Sequence, residues 1–237
     1  MDYFRNIVFV AAIAGVLAGL GMTVAQQLTT VPLILKAEVY EGEGAATPTH
    51  DHGTATAQAG EHEHGEGGWQ PADGFERTAF TLLANIVTGV GFALLLIAAS
   101  ELAGGISGWR QGVFWGLAGF AVFTLAPSLG LPPELPAMPA AELGARQLWW
   151  VATALSAAAA LALIFYGRSP LAIVAAIALL VGPHIVGAPE PVSYDTPIPE
   201  GLHHSFVVAV VLTALLFWVL LGALAGLFRG RFIHASG

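Results

Sequence analysis

Two pairs of histidines lie in residues 37–76, a segment that carries nine carboxylates and no lysine or arginine. Imidazole nitrogens and carboxylate oxygens are ligands that borderline divalent transition metals accept. In an extended chain, side chains two residues apart point to the same side, so each pair can offer both imidazoles to one ion. The candidate ligands of this segment are His50, His52, His62, His64, Glu61, Glu63 and Glu76. The pattern predicts a loop that collects metal cations.

The alternative for this segment is a solvated acidic linker whose histidines bind no metal. A zinc-hydrolase site is disfavoured, because Glu66 stands where the sequence H-E-x-x-H requires its second histidine. The glycine-rich surroundings also disfavour the helix on which both histidines of that motif have to share a face. No catalytic constellation is visible elsewhere, so we predict that the protein is not an enzyme.

The composition of the chain is that of a membrane protein. Charged residues make up 10% of it, hydrophobic residues 56%, and the mean hydropathy is +0.72, whereas soluble domains carry about 25% charged residues. Because cysteine is absent, any metal site uses nitrogen and oxygen ligands. A net charge of −8 without a basic patch argues against nucleic-acid binding. The single lysine, Lys36, does not follow a glycine, as the ATP-binding P-loop sequence requires.

Six apolar stretches are long enough, or nearly so, to form spanning helices, which need about 20 residues. They are residues 7–28, 79–102, 111–129, 148–166, 171–187 and 205–228. The fifth is the shortest and contains Pro183. The sequence therefore predicts one all-α polytopic membrane domain over residues 1–237. We expect a bundle of about six transmembrane helices, with the His- and acid-rich residues 37–76 as a long outer loop.

The basic residues near the span ends indicate the orientation. With the N-terminus inside, six spans place five basic residues in the cytoplasm and three outside, and 14 of the 16 acidic residues fall outside. A five-span arrangement would move Arg229 and Arg231 to the outer face, so we prefer six spans with both termini cytoplasmic. We expect the first span to be retained. A cleaved signal peptide is the alternative, but the apolar run exceeds the roughly 7–15 residues typical of one.

Several polar residues lie at the outer ends of the predicted spans, where such groups usually face the bundle interior or a water-filled cavity. His184 follows Pro183, which removes a backbone hydrogen bond and can expose a carbonyl beside the imidazole. His184 is either a metal ligand or a histidine hydrogen-bonded to a neighbouring helix. For His203 and His204, an interfacial cap competes with a ligand role. Gln26 and Gln27 are expected to form hydrogen bonds between helices.

Packing motifs and aromatic residues give further expectations about the bundle. Three G-x-x-x-G pairs predict close helix contacts, since small residues let backbones approach in lipid: Gly15/Gly19, Gly112/Gly116 and Gly222/Gly226. Several tryptophans near the predicted interfaces are typical of an aromatic belt, namely Trp69, Trp109, Trp149, Trp150 and Trp218.

Six segments, in the right order and spread over nearly the whole chain, resemble the family of probable cobalt transporter subunits called CbtA. They are R-N-I-V-F at 5–9, Q-Q at 26–27, V-P-L-I-L-K-A-E-V-Y-E at 31–41, E-R-T-A-F-T at 76–81, G-A-R-Q-L-W-W at 144–150 and P-H-I-V-G-A-P at 183–189. That family is usually described with about five spans, one fewer than the charges here favour. The resemblance supplies no residue-level site.

The resemblance implies a protein of the bacterial inner membrane that imports Co²⁺, often linked to cobalamin synthesis. It also implies a small single-span, histidine-bearing companion subunit (CbtB-like), alongside contact with membrane lipid. Self-association into a homo-oligomer is left open.

The favoured function is import of a divalent transition metal, cobalt first and nickel second. The outer loop would raise the local ion concentration, and a site near His184 would receive the ion, with Glu76, Asn85 or His203 as co-ligands. The ion would leave past Glu101, unless that carboxylate simply pairs with Arg110. The metal is cargo, no cofactor is expected, and Ni²⁺ or Zn²⁺ would accept the same ligands. The alternative is a non-transporting capture or assembly subunit that delivers Co²⁺ or Ni²⁺ to a separate permease.

Overall fold

The apolar stretches form helices, the structure in which a backbone segment surrounded by hydrocarbon satisfies its own hydrogen bonds. The computed structural model describes residues 2–44, 71–72 and 74–232, without the side chains of residues 2 and 42–44. Its elements are α1 Asp2–Leu28, α2 Val31–Gly44, α3 Phe75–Glu101, α4 Trp109–Phe120, a π-helical segment Ala121–Leu125, α5 Ala126–Ser128, α6 Leu143–Tyr166, α7 Pro170–Val186 and α8 Glu200–Phe232. The predicted all-α class is confirmed for the part of the chain that the structure describes.

Four helices of the described chain are long and apolar enough to cross a membrane: α1 (from Tyr3), α3, α6 and α8. The other two predicted spans also fall on helical segments, but shorter ones. The fifth corresponds to α7, which has 17 residues, and the third is divided among α4, the π-helical segment and α5. The number of crossings therefore stays a prediction beyond four candidate spans.

The division of the third predicted span has a local cause in Pro127. Proline has no backbone N–H, so a helix that contains it loses one hydrogen bond and adjusts its winding in the preceding turn. Here the amide of Ala126 donates to the carbonyl of Ala121, five residues back, which is the π-helical pattern. Pro127 itself is fully buried. The bundle therefore packs around the irregular turn.

The bundle has two distinct ends. At one end, Tyr3, Glu101 and Arg229 join the start of α1, the end of α3 and the end of α8. At the other end, a small apolar cluster joins α2 to the connections before α6 and α8, with Ala37, Leu135, Ile198 and Phe206 at its centre. We call these the Arg229 end and the α2 end.

The glycine pairs bring helices into backbone contact, which confirms the packing prediction. A Cβ atom on Gly222 of α8 would overlap the carbonyl oxygen of Gly112 of α4, and the reverse also holds. Gly15 of α1 meets the backbone of Gly89 and Val90 of α3 in the same way. Close backbone approach of this kind supplies dispersion contacts that side chains alone would not give in lipid. These contacts join α4 to α8 and α1 to α3, and α8 also packs against α1.

Helix α2 occupies part of the segment that the sequence analysis assigns to a loop. Residues 37–44 of the predicted loop are helical, so that part of the prediction is wrong. The reason is an apolar stripe of helical spacing, Leu33, Ala37 and Tyr40, which packs on the apolar cluster of the α2 end. An ion pair between Glu38 and Arg77 joins α2 to the first turn of α3.

The aromatic-belt prediction is wrong for Trp218, which is 3% exposed in the centre of the core. Its indole stacks on Phe123 at a centroid distance of 5.6 Å and donates a hydrogen bond to Thr124 Oγ1 at 3.2 Å. Trp149 is also buried, whereas Trp109 is exposed. A tryptophan buries readily when a neighbouring hydroxyl accepts from its N–H.

We predict that Gly222→Ala separates α4 from α8, because the new methyl group overlaps backbone atoms that cannot move aside. The expected loss is about 1–3 kcal/mol in the free energy of unfolding, as for other overpacked cores. Thermal or SDS-induced unfolding of the detergent-solubilised protein measures it. The matched control is Gly91→Ala on the open face of α3, where an added Cβ meets nothing within 4 Å. Equal stability of the two variants would contradict the packing argument.

Candidate functional site

A pocket of about 380 Å³ opens at the α2 end of the bundle. Its walls are the connection before α6, the connection before α8, the end of α7 and the first turns of α8. Polar and aromatic side chains concentrate in its lining, namely Glu134, Trp149, His184, Glu190, Tyr194, Thr196 and His203. We call this cavity the α2-end pocket. It brings together two of the histidines that the sequence singled out.

His184 reaches the pocket from the last turn of α7. Its ring stands edge-on to Trp149, with the centroids 5.7 Å apart, and it is half-buried. Trp149 Nε1 donates to the carbonyl oxygen of Pro183 at 3.3 Å, which fixes the indole against the end of α7. A Cβ on Gly130 would overlap this indole, so the glycine makes room for it. Trp149 thus supports the imidazole from one side.

His203 reaches the pocket from the first turns of α8. Its Nε2 lies 3.2 Å from the carbonyl oxygen of Pro133, so the ring fastens α8 to the connection before α6. The adjacent His204 is exposed and does not line the pocket. His203 therefore makes the bridging contact expected of an interfacial cap while its ring still borders the cavity.

Two carboxylates of the pocket are placed differently. Glu134 forms an ion pair with Arg146 at 2.9 Å, so its charge is compensated. Glu190 is exposed at the rim, close to Tyr194. Partial desolvation, followed by the neighbouring Glu190 carboxylate, raises the pKa of Tyr194 above its usual value. The exposed Glu190 carboxylate adds a negative charge at the rim, which favours cations.

The first turn of α6, which leads to Trp149, is held by a capping carboxylate. Glu142 accepts hydrogen bonds from the amides of Gly144 and Ala145 at 2.8 and 2.6 Å. These amides hold the pKa of Glu142 below its usual value, the Gly144 bond contributing most. Because the folded-state pKa is lowered, this cap stabilises the fold at neutral pH and is lost as pH falls through that pKa.

Of the predicted ligands that the structure describes, His184 and His203 line the same pocket and Glu76 does not. No group of three His, Cys, Asp or Glu side chains among the described residues is arranged to hold a metal ion. Glu76 does not line the pocket; its Oε2 accepts from the amide of Ala72 at 3.0 Å, as an acidic residue in a first helical turn does. The loop candidates His50, His52, His62, His64, Glu61 and Glu63 lie outside the described residues.

The carbonyl freed by Pro183 is not exposed beside His184, so that expectation is wrong. Proline withdraws the donor from the residue four positions earlier, which is Leu179. Ser156 Oγ of α6 donates to that carbonyl at 2.7 Å and replaces the missing bond. The missing backbone bond is therefore replaced by a hydrogen bond between α6 and α7, and the Leu179 carbonyl does not serve as a ligand beside His184.

The polar residues of α1 and α3 bond to one another, which confirms the expectation for Gln26 and Gln27. Asn85 Nδ2 donates to Gln26 Oε1 at 2.6 Å and to Thr23 Oγ1 at 3.0 Å. Gln27 Nε2 donates to Thr78 Oγ1 at 3.3 Å. These groups hold two helices together near the α2 end. Asn85 is thereby committed to helix packing.

Glu101 pairs with Arg229, not with Arg110, which corrects the pairing that the sequence suggested. Arg229 Nε lies 2.7 Å from Glu101 Oε1, and Tyr3 donates to Oε2 of the same carboxylate at 2.5 Å. Arg229 is 6% exposed and also donates to the carbonyl of Ile106 at 2.6 Å, whereas Arg110 is exposed. The connection between α3 and α4 can pass close to the Arg229 guanidinium because Gly105, at φ 79°, has no side chain that would overlap it.

Sequence reasoning missed several residues of these two ends. Trp149 was expected in an aromatic belt, and Glu134, Glu190 and Tyr194 had no periodic or spacing signal to separate them from loop residues. Arg229 carried a signal that could have been used, because an arginine on a long apolar helix requires a partner. That partner comes from 128 positions away in the chain, a distance that sequence patterns do not resolve.

Four apolar helices of spanning length indicate a polytopic α-helical membrane protein, with the histidine-bearing pocket at one end of the bundle. The family described as probable cobalt transporter subunit (CbtA) matches residues 4–230, and the chain belongs to that family. No curated protein and no solved structure matches the chain. The expected family is therefore confirmed.

We predict that Arg229→Ala is strongly destabilising, because it removes the buried guanidinium that bonds to the Ile106 carbonyl and leaves the half-buried Glu101 carboxylate without its counter-ion. Removal of one partner of such a pair costs about 3 kcal/mol in the free energy of unfolding. Arg231→Ala, at an exposed position one half-turn later, is the control and should stay within about 0.5 kcal/mol of the parent protein. Denaturation in mixed detergent–SDS micelles measures both. Similar curves would show that the ion pair contributes little.

Proposed function

We propose that this protein is a subunit of a Co²⁺ importer in the bacterial inner membrane and that cargo enters at the α2 end. Family membership carries the proposal, and the α2-end pocket, with the rings of His184 and His203 on its wall, is the feature that supports it most directly. Neutral imidazole is a good ligand for Co²⁺ and leaves further coordination positions for water. The metal is cargo, and no resident cofactor is part of the proposal.

We place six crossings in the membrane, with both termini in the cytoplasm. An even number of crossings agrees with the contact of Tyr3 and Arg229 through Glu101 at one end. The helical run from Trp109 to Ser128 has a length of about 30 Å at 1.5 Å per residue, enough for a hydrocarbon core. The same orientation puts Arg5, Arg168 and Arg231 on the cytoplasmic side with the Arg229 end, as the positive-inside rule favours.

The size of the α2-end pocket fits capture of a hydrated ion better than a closed coordination site. A water molecule occupies about 30 Å³ in the liquid, so an ion with six waters needs roughly 200 Å³. The pocket has about 380 Å³. The ion can therefore enter with its water shell and exchange one or two waters for imidazole. Such a site favours release over tight binding, which suits a transport step.

We assign the His- and acid-rich residues 37–76 the role of a collector that raises the ion concentration at this entrance. Its imidazoles are His50, His52, His62 and His64, with Glu61 and Glu63 beside them. Preference among ions has to come from a shaped site, because an unshaped set of these ligands binds Ni²⁺ more tightly than Co²⁺. We therefore attribute selectivity to the pocket or to the partner.

The second candidate is a non-transporting subunit that captures Co²⁺ or Ni²⁺ and delivers it to a separate permease. The family description itself calls such proteins subunits, which implies a partner. Helix α7 packs mainly against α6 and leaves much of its apolar surface exposed to lipid or to another chain. We propose a small single-span, histidine-bearing companion (CbtB-like) as that partner.

Uptake into proteoliposomes distinguishes the two candidates. The protein is reconstituted alone and with its companion, and entry of Co²⁺, Ni²⁺ and Zn²⁺ is followed with a fluorescent indicator inside the vesicles. An importer should accumulate Co²⁺ in at least one arrangement. Binding of Co²⁺ without uptake in either arrangement favours the delivery subunit, and neither binding nor uptake rejects both candidates.

We predict that His184→Ala and His203→Ala each raise the Co²⁺ concentration for half-maximal uptake, by about tenfold, the effect of losing one ligand worth roughly 1.4 kcal/mol. His204→Ala is the matched control, since this neighbouring histidine is exposed and outside the pocket. The measurement is initial uptake rate against free Co²⁺. If all three variants behave alike, the pocket is not the entry site.

We also predict that deletion of residues 49–66 raises the half-maximal Co²⁺ concentration while leaving the rate at saturating Co²⁺ near that of the parent. A variant with glutamine at His50, His52, His62 and His64 should behave in the same way, because it keeps the length and loses the imidazoles. Binding by the parent should weaken below the ordinary histidine pKa of about 6.5, since protonated imidazole cannot coordinate a metal. Loss of transport even at saturating Co²⁺ would favour the delivery subunit.

A further inference from the structure

The carboxylate of Glu134 lies between the α2-end pocket and a guanidinium. Glu134 lines the pocket from the connection before α6, and its Oε2 lies 2.9 Å from Nη2 of Arg146, near the start of α6. Arg146 itself does not line the pocket, and the lining residues include no lysine or arginine. The counter-ion of Glu134 is therefore held outside the cavity. A cation inside the pocket would meet the carboxylate without first meeting the guanidinium.

This ion pair is of the kind that exchanges partners. At the other end of the bundle, Arg229 holds Glu101 through two hydrogen bonds, at 2.7 and 3.1 Å, and the arginine side chain is 7% exposed. Arg146 holds Glu134 through a contact of one nitrogen with one oxygen, and the two side chains are 30% and 25% exposed. Two-point pairs are the strong ones, whereas a part-exposed pair changes an equilibrium constant by about fivefold or less. Arg146 can therefore be displaced at little cost.

His203 has a ring nitrogen left for an ion beside this carboxylate. Its Nε2 lies 3.2 Å from the carbonyl oxygen of Pro133, the residue that directly precedes Glu134. A carbonyl oxygen only accepts, so Nε2 carries the proton and the lone pair of the neutral ring is on Nδ1. Histidines that bind metals commonly donate their other N–H to a backbone carbonyl in this way. The bond to Pro133 therefore gives His203 the tautomer of a ligand and sets its ring next to the chain segment that carries Glu134.

We infer that Glu134 is a metal ligand of the α2-end pocket and that an entering divalent cation displaces Arg146 from it, with His184 and His203 as the other ligands. This deepens the proposed function and rests on it, since it supplies a third ligand where cargo is received. A carboxylate with two imidazoles suits first-row transition metals, whereas Mg²⁺ and Ca²⁺ prefer oxygen ligands alone. Because Arg146 competes for the carboxylate, it weakens binding and assists release, as a transport step requires.

The test measures Co²⁺ binding to the detergent-solubilised full-length protein, with glutamine in place of the histidines at 50, 52, 62 and 64 so that the pocket is observed alone. Glu134→Gln should weaken binding by about tenfold, the effect of losing one ligand. Arg146→Gln should tighten binding by about fivefold, because the competitor for the carboxylate is gone. A misfolded variant would not gain affinity, so the arginine variant keeps the test decisive.

Two single substitutions and one double variant serve as controls. Lys36→Gln and Glu200→Gln change the net charge by the same amounts at exposed positions outside the pocket. At about 0.15 M salt, screening should keep their effects within about twofold. In the double variant Glu134→Gln/Arg146→Gln, loss of the arginine should give no more than the Lys36→Gln effect, since the two residues act through one contact.

Opposite effects of the two variants, lost in the double variant, support the exchange. Three results overturn it: unchanged binding by Glu134→Gln, an Arg146→Gln affinity no higher than that of Lys36→Gln, or an equal gain from Arg146→Gln with and without Glu134. Failure of the loop-substituted protein to bind Co²⁺ at millimolar concentration also overturns it. Uptake is measured separately in proteoliposomes. The exchange can therefore hold in a protein that captures Co²⁺ without importing it, and can fail in one that imports.

Discussion

The structure depends on one constraint, the need to pair every polar group inside a bundle where water is scarce. Pro183 breaks the hydrogen-bond ladder of α7, and a neighbouring helix supplies the missing donor. Ser156 completes the ladder of α7 across the helix contact. Trp149 fixes the end of the same helix. The buried Arg229 has its donors engaged by Glu101 and the Ile106 carbonyl. Several of the contacts that pack the helices therefore also satisfy buried polar groups.

The two ends of the bundle satisfy this constraint in opposite ways. At the Arg229 end, the turn at Gly105 lies against Arg229. Arg229 pairs with Glu101, and Tyr3 donates to the same carboxylate, so the charges at this end are compensated. At the α2 end, the connections stand apart and leave a pocket with two imidazoles and an anionic rim. The two ends therefore differ in chemistry, with two imidazoles lining a pocket at one and an ion-pair network joining helices at the other.

Local patterns predicted what depends on neighbours along the chain. The apolar runs predicted the helices, and the pairs Gly112/Gly116 and Gly222/Gly226 predicted close helix contacts, which the structure places between α4 and α8. Glutamines at a span end gave the bonds to α3. The predicted loop began too early in the chain. The apolar stripe of α2 is recognisable only once Leu135 and Phe206, which are remote in sequence, are known to pack against it. Trp218 was assigned to an interface because its partner Thr124 is remote in sequence.

By itself, the sequence determined a membrane-embedded helical chain, its family and the chemistry of its candidate ligands, because hydropathy, charge and ligand type are properties of single residues and short runs. Tertiary structure decided which of these residues meet. His184 and His203 line the same pocket, whereas Glu76 does not line it. Glu101 pairs with Arg229, and the buried hydroxyl of Thr153 has no hydrogen-bond partner among the described residues. The reason is that the partner of a buried polar group is set by how helices cross, and helix crossing is a property of the whole bundle.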